Sequence, residues 1–182
     1  MALTDQLNSS TDYVNTIIAS LNEEQLNWKP TPATWSVAQC LDHLVVNNVK
    51  YFKIFDDIVT GTYPQTTWQR ISPFTNFLEK KLLDFTAAVP EKKVKAPPSF
   101  SPSVSLIDKN IIPRFLEQQE KLIHYYNRLE PIANRQKIIV SSPFSSLVTF
   151  RLNTLLIALA NHEQRHINQA DTILHHSQFP KT

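Results

Sequence analysis

The chain of 182 residues contains a single glycine, Gly61, and twelve prolines. Glycine-rich loops allow backbone amides to approach the phosphates of nucleotides and dinucleotides, so a chain with one glycine is excluded from the P-loop and Rossmann classes. Proline lacks an amide proton and clashes with the preceding helical turn, so proline clusters mark where helices end. The sequence therefore predicts helices separated by proline-containing breaks.

Between these breaks the apolar residues recur at three- and four-residue steps, the period of an α-helix. This pattern predicts helices over about 3–21, 36–60, 108–129 and 147–175, with a weaker helical pattern over 66–88. The second helix begins at a capping box formed by Ser36 and Gln39, and Asp108 is a candidate N-cap of the third. The Pro- and Ser-rich segment 89–104 is expected to form a long surface crossover between the second and third helices.

Four long helices joined in this way predict an all-α four-helix bundle, in which metal and cofactor sites are built from inward-facing side chains. Hydrophobic residues make up 42% of the chain and charged residues 19%, the ordinary balance of a globular protein. We expect residues 1–182 to form a single domain, because this length supports one full hydrophobic core.

Charge and hydropathy limit the partners. The formal net charge is +2 and the basic residues are spread along the chain, so nucleic acid is not expected as a partner. The N-terminus lacks the basic start and apolar core of a signal peptide, and no apolar run approaches the roughly 20 residues that span a bilayer. We therefore expect a cytoplasmic protein with no membrane association.

The single cysteine, Cys40, excludes an internal disulfide and a cysteine-rich zinc site. Any metal chemistry must then use histidine and carboxylate side chains. Cys40 itself lies in an apolar helical stretch, where a small core residue is a more common role than a nucleophile. It is assigned no function.

The last predicted helix carries two histidines on its apolar stripe. Leucines 152, 155, 156 and 159 form this stripe, which continues in step through His162 and His166. A spacing of four places both imidazoles on one face of the helix, one turn apart. Buried imidazoles need partners, and one metal ion would satisfy both, although hydrogen-bonded core or surface histidines are the alternative.

A catalytic metal site typically uses three protein ligands and keeps one position open, so a third ligand is expected from another helix. The candidates are His43, His124, His175 and His176. His43 is favoured because it lies beside the apolar stripe of the second helix, and His124 stays open as a substitute for it. Asn47, Gln169 and Glu163 are candidates to support the ligands from behind, and a solvated carboxylate is the other interpretation of Glu163.

Two stretches of the sequence carry a family resemblance. Residues 21–30 (LNEEQLNWKP) and 35–44 (WSVAQCLDHL) resemble the N-terminal signature of the DinB-like superfamily, and residues 162–166 (HEQRH) followed by Gln169 resemble its C-terminal helix. This superfamily includes a branch of metal-dependent hydrolases and thiol transferases. The resemblance implies a four-helix bundle and one divalent metal ion bound by His43, His162 and His166.

An ion held by three neutral imidazoles would lower the pKa of a bound water or thiol. We therefore expect a metal-dependent enzyme, either a thiol S-transferase that uses a low-molecular-weight thiol or a hydrolase acting on a small molecule. Imidazole ligands suit Zn, Ni or Fe. The alternative is a non-catalytic binding or interaction module that the metal stabilises, and a homodimer is compatible with either function.

Two further features have competing interpretations. Residues 162–166 also fit the H-E-x-x-H motif of zinc proteases, but Gln169 and Thr172 stand where the extended motif has Gly and His, and no Glu follows Glu163. The protease interpretation is therefore disfavoured. Trp28 and Trp35 flank the break before the second helix, where packing at the end of the bundle is favoured over a roof above a substrate pocket.

Overall fold

The computed structural model describes residues 2–88 and 106–181. Over these ranges the chain is mostly helical, as predicted, and one small β-hairpin accompanies the helices. The elements are α1 (Leu3–Thr16), α2 (Glu23–Asn27), α3 (Val37–Val59), α4 (Thr67–Ile71), α5 (Thr75–Thr86), α6 (Ile111–Leu129), β1 (Ile139–Ser142), β2 (Ser145–Arg151) and α7 (Leu152–Leu174). The predicted crossover at 89–104 lies outside the described residues.

The start of α3 is fixed by the predicted capping box. The Gln39 amide donates to Ser36 Oγ at 3.2 Å, and the Ser36 amide donates to Gln39 Oε1 at 3.2 Å. Two backbone N–H groups that would otherwise lack partners are therefore satisfied at the helix N-terminus. Because this cap sets where α3 begins, it also sets which of its side chains face the core.

The four longest core helices pack against one another in pairs. Helix α3 contacts α6 and α7, and α1 contacts the same two helices. Buried polar contacts also cross this core; in one of them the Tyr126 hydroxyl on α6 donates to the carbonyl of Leu156 on α7 at 2.6 Å. Around it the core is apolar, with fully buried residues such as Phe55, Leu122 and Leu152. None of the described helices is long and apolar enough to cross a membrane.

The predicted start of the last helix near residue 147 is wrong. Residues 147–151 belong to β2, which pairs antiparallel with β1 in a register that matches Val140 with Phe150 and Ser141 with Thr149. Val148, Thr149 and Phe150 are residue types that favour strands, which explains why this stretch extends instead of continuing the helix. Helix α7 therefore begins at Leu152 and still carries both histidines.

Smaller differences occur at other boundaries. The first helix ends at Thr16 and is followed by a 3₁₀ turn over Ile18–Ser20. The N-cap of α6 is Asn110, so the assignment of Asp108 to that position is wrong; the Asp108 carboxylate instead accepts a hydrogen bond from the Asn110 amide at 2.8 Å. The weak pattern over 66–88 corresponds to two helices, α4 and α5, with Pro73 between them.

Truncation of Leu122 to alanine tests the apolar core. Leu122 is fully buried, so Leu122→Ala should lower the free energy of unfolding by about 2–5 kcal/mol through lost burial and a residual cavity. The matched control is Leu147→Ala, because Leu147 is 64% exposed and its truncation should change stability by about 0.5 kcal/mol or less. Urea unfolding followed by circular dichroism measures both. Equal losses in the two variants would contradict this packing.

Candidate metal centre

His43, His162 and His166 come together between α3 and α7. His43 lies in the second turn of α3, and the other two lie one turn apart in the middle of α7. All three side chains are buried, with at most 7% of any of them exposed. The helical period accounts for His162 and His166, which continue the apolar stripe of α7. His43 lies beside the stripe of α3, within residues 37–45, which are all buried.

The three rings meet through their Nε2 atoms. His162 Nε2 lies 3.1 Å from His43 Nε2 and 3.2 Å from His166 Nε2. One ring nitrogen offers either one proton or one lone pair, so the two short approaches cannot both be ordinary hydrogen bonds. The side-chain ligand atoms of the three residues all lie within 4.8 Å of one another. This group could therefore hold a metal ion.

The outer nitrogen of His166 is held by Gln169. The Gln169 carbonyl oxygen Oε1 lies 3.1 Å from His166 Nδ1. Because a carbonyl oxygen can only accept, this contact favours the tautomer in which Nδ1–H donates to it. A proton on Nδ1 leaves the Nε2 lone pair free, which is the form of imidazole that binds metal. Gln169 thus lies where a residue that orients a ligand is expected.

Asn47 stands in the corresponding place behind His162. Its amide nitrogen is 3.5 Å from His162 Nδ1, while its Oδ1 is buried without a hydrogen-bond partner. A half-turn of the amide would let Oδ1 accept from Nδ1–H of His162, which would satisfy the orphaned oxygen and free the His162 Nε2 lone pair. The residues around the imidazoles therefore fit a bound cation.

Burial keeps two of the imidazoles, those of His162 and His166, in the neutral form. Burial, together with the neighbouring His166, His43 and Arg165, holds the pKa of His162 well below its usual value. Burial lowers the pKa of His166 to about 3, with His43 and Arg165 adding to the effect and the Gln169 hydrogen bond opposing it. Neutral imidazoles can donate their lone pairs near pH 7 without first losing a proton.

The two tryptophans have different roles. The ring of Trp35 stacks on His166 at a centroid distance of 5.4 Å and lies 4.8 Å from the ring of His43, so it covers two of the three imidazoles. Trp28 instead packs against Phe179 at the end of the helices, at a centroid distance of 5.5 Å. Packing at the end of the helices therefore describes Trp28, whereas Trp35 packs on the histidine group.

The remaining histidines lie elsewhere. His124 is exposed on α6, and His175 is exposed next to Asp171 beyond the end of α7. His176 packs against Trp28 at a centroid distance of 5.3 Å. Within residues 2–88 and 106–181, the histidine from outside α7 that joins the group is His43. The alternative prediction, that His124 takes this position, is wrong.

The Glu163 carboxyl is buried and directed towards other helices. Gln119 on α6 donates from Nε2 to Glu163 Oε1 at 2.6 Å and also to the carbonyl of Leu7 on α1 at 3.1 Å. Burial raises the pKa of Glu163 to about 8, although the hydrogen bond from Gln119 opposes this rise. The solvated interpretation is therefore wrong. A carboxyl that faces α6 and α1 also lacks the position of a protease base beside the imidazoles.

Cys40 lies one turn before His43 and is completely buried in the apolar core. Burial raises the pKa of its thiol to about 12. The thiolate is the reactive form of cysteine, so this side chain is inert as a nucleophile in the folded protein. The interpretation as a small core residue agrees with this placement.

Sequence reasoning missed two residues around the group. Gln119 lies on α6 and its pairing with Glu163 depends on how helices pack, which no local pattern reveals. Arg165 stands inside residues 162–166; its charge contributes to the lowered pKa of His162 and His166, and its Nη1 donates to the carbonyl of Phe85 on α5. The position of Arg165 between the two histidines in the sequence was the one signal that could have predicted its effect on them.

Comparison with known proteins identifies the family. A family model described as the DinB superfamily matches residues 6–170. The chain therefore belongs to the DinB superfamily, as the resemblance of the two sequence signatures predicted. No curated protein and no solved structure matches the chain.

The reactivity of Cys40 gives a direct test of its burial. Because its pKa is raised to about 12, the folded protein should react with a thiol reagent such as dithionitrobenzoate far more slowly than the unfolded chain at pH 8. The expected result is one equivalent of slow reaction in buffer and one of fast reaction in urea. Fast labelling of the folded protein would contradict the burial of the thiol.

Substitution of Glu163 tests its role in packing α7 against α6. Glu163→Gln retains an acceptor for Gln119 and stays neutral, so the free energy of unfolding at pH 7 should stay within about 1 kcal/mol of wild type. Glu163→Ala removes that acceptor and leaves a cavity, which should cost about 2–3 kcal/mol. Urea unfolding measures both variants, and a glutamine variant as unstable as the alanine variant would overturn this role.

Proposed function

We propose that His43, His162 and His166 bind one divalent transition metal ion and that the protein is a metal-dependent enzyme acting on a small molecule. The convergence of three buried Nε2 atoms carries this proposal. Membership of the DinB superfamily, whose members bind metals, supports it. In this proposal α1, α3, α6 and α7 form the four-helix bundle of that superfamily.

The spacing of the nitrogens suits a small cation. Zinc–imidazole bonds of about 2.0–2.1 Å in a tetrahedral arrangement place the ligand atoms about 3.3 Å apart. The two separations between Nε2 atoms, 3.1 and 3.2 Å, are close to that value. Imidazole donors suit Zn, Ni or Fe, so the proposal covers these three ions.

A vacant coordination position favours catalysis over a purely structural role. In the described part of the chain, no fourth histidine, cysteine or carboxylate joins the group. Sites with three protein ligands and an open position are typical of catalytic metals, whereas structural zinc sites close the shell with a fourth protein ligand. Such an ion supplies a Lewis acid that lowers the pKa of a bound water or thiol, which fits a hydrolase or a thiol S-transferase.

The chain's own residues define how a substrate would reach the group. Gln169 holds the Nδ1 proton of His166, and Asn47 is placed to do the same for His162, so both Nε2 atoms face inwards. The indole of Trp35 covers His43 and His166. A substrate group that approaches these two rings therefore passes the Trp35 side chain, which would exclude bulk water when the substrate is bound.

Metal content tests the proposed site. Mass spectrometry of the untagged protein should find about one equivalent of transition metal in wild type, after incubation with zinc or nickel if necessary. His43→Ala and His162→Ala should lose the metal, because two imidazoles alone hold it weakly. His124→Ala is the matched control and should keep it, since His124 is exposed on α6. Circular dichroism confirms that each variant is folded.

A second measurement separates the enzyme from a metal-stabilised module. X-ray absorption of the metal-loaded protein should detect sulfur in the coordination shell after a small thiol such as cysteine is added, because an open position admits an external ligand. A shell that does not change with thiol, and that shows four protein ligands, would favour the structural role. Wild-type protein that binds no metal at all would contradict both.

A further inference from the structure

A small cleft lies at the corner where α4 and α5 meet the β-hairpin. Its volume is about 250 Å³. The cleft is separate from the histidine group, because its lining residue nearest to α7 is Arg151, the N-cap of that helix. The described residues that line it include two arginines, Arg70 and Arg151, and no carboxylate. The remaining lining is mostly polar, so the cleft suits an anionic ligand.

The two guanidinium groups differ in how they are held. Arg151 is fixed at the wall, because its Nη1 donates to the Glu79 carboxylate and its Nη2 donates to Asn76 Oδ1 at 2.8 Å. Glu79 therefore offsets the charge of Arg151. Arg70 is exposed and has no ion pair or hydrogen-bonded side-chain partner among the described residues, so its positive charge at the cleft is not offset.

The start of α5 adds donors to the same cleft. Thr75 and Asn76, the first two residues of α5, line it, and this helix start has no side-chain cap and no acidic residue in its first turn. Unsatisfied amides at a helix N-terminus attract anions. Independently, the hydroxyl oxygen of Ser72, another lining residue, is buried without a hydrogen-bond partner.

We propose that this cleft binds a phosphate group, either of a small phosphate monoester or of a lipid headgroup. Arginine matches the geometry of phosphate oxygens, and the cleft is slightly smaller than the roughly 300–1,000 Å³ of sites for larger ligands. The lipid source is relevant because exposed apolar side chains flank the cleft: Ile71 is 68% exposed and Phe74 is 55% exposed.

Binding of glycerol 3-phosphate, measured by isothermal titration calorimetry, tests the phosphate site. Wild-type protein should bind the ligand, and Arg70→Gln should weaken binding by about tenfold or more, since a charge-assisted hydrogen bond is lost. Lys80→Gln is the matched control, because Lys80 is an exposed cation on α5 that does not line the cleft, and its affinity should change less than about twofold. Circular dichroism confirms that both variants are folded.

Vesicle flotation then distinguishes the two sources. If vesicles of phosphatidylcholine and phosphatidic acid carry wild-type protein but not Arg70→Gln, and Phe74→Ser weakens flotation without affecting glycerol 3-phosphate, the ligand is a lipid headgroup. Binding of glycerol 3-phosphate without flotation supports a soluble phosphate. The absence of binding to either probe at millimolar concentration, or equal losses in the Arg70 and Lys80 variants, would overturn the proposal.

Discussion

Three imidazoles are buried in the apolar interface between α3 and α7, and each of their ring nitrogens needs a partner there. A buried polar group without a partner costs about 1–3 kcal/mol, so this interface is stable only if the rings are satisfied together. Gln169 and Asn47 lie against the outer nitrogens of His166 and His162. The inner nitrogens face one another, and a single cation is the partner that all three can share.

This arrangement depends on where the two helices begin. The capping box of Ser36 fixes the start of α3, and with it the turn that carries His43. At the start of α7, the backbone amide of Arg151 donates to the Glu79 carboxylate at 2.7 Å, and its guanidinium pairs with the same group. A one-residue shift of either helix would rotate its histidines by about 100°, away from the shared point.

The helical period was enough to predict which histidines share a face, because His162 and His166 continue a stripe of leucines. His43 was favoured by its position beside the stripe of α3, but the period could not exclude His124, because that depends on how α3 and α6 are rotated about their axes. The β-hairpin was missed because its strands are joined by Pro143 and Phe144, without the Asn-Gly or Asp-Gly turn that signals a hairpin. The burial of Glu163 was missed for a similar reason, since its partner Gln119 comes from a distant helix.

The charge of the proposed site favours an anionic external ligand. Imidazoles bind metal in their neutral form, so three of them would leave the charge of a divalent ion uncompensated, and among the described residues no carboxylate joins them. Arg165 adds positive charge nearby, as the lowered pKa of His162 and His166 indicates. In a buried site this field is weakly screened, so an ion held there would lower the pKa of a water or thiol bound at an open position. The same electrostatics would therefore support both proposed reactions, hydrolysis and thiol transfer.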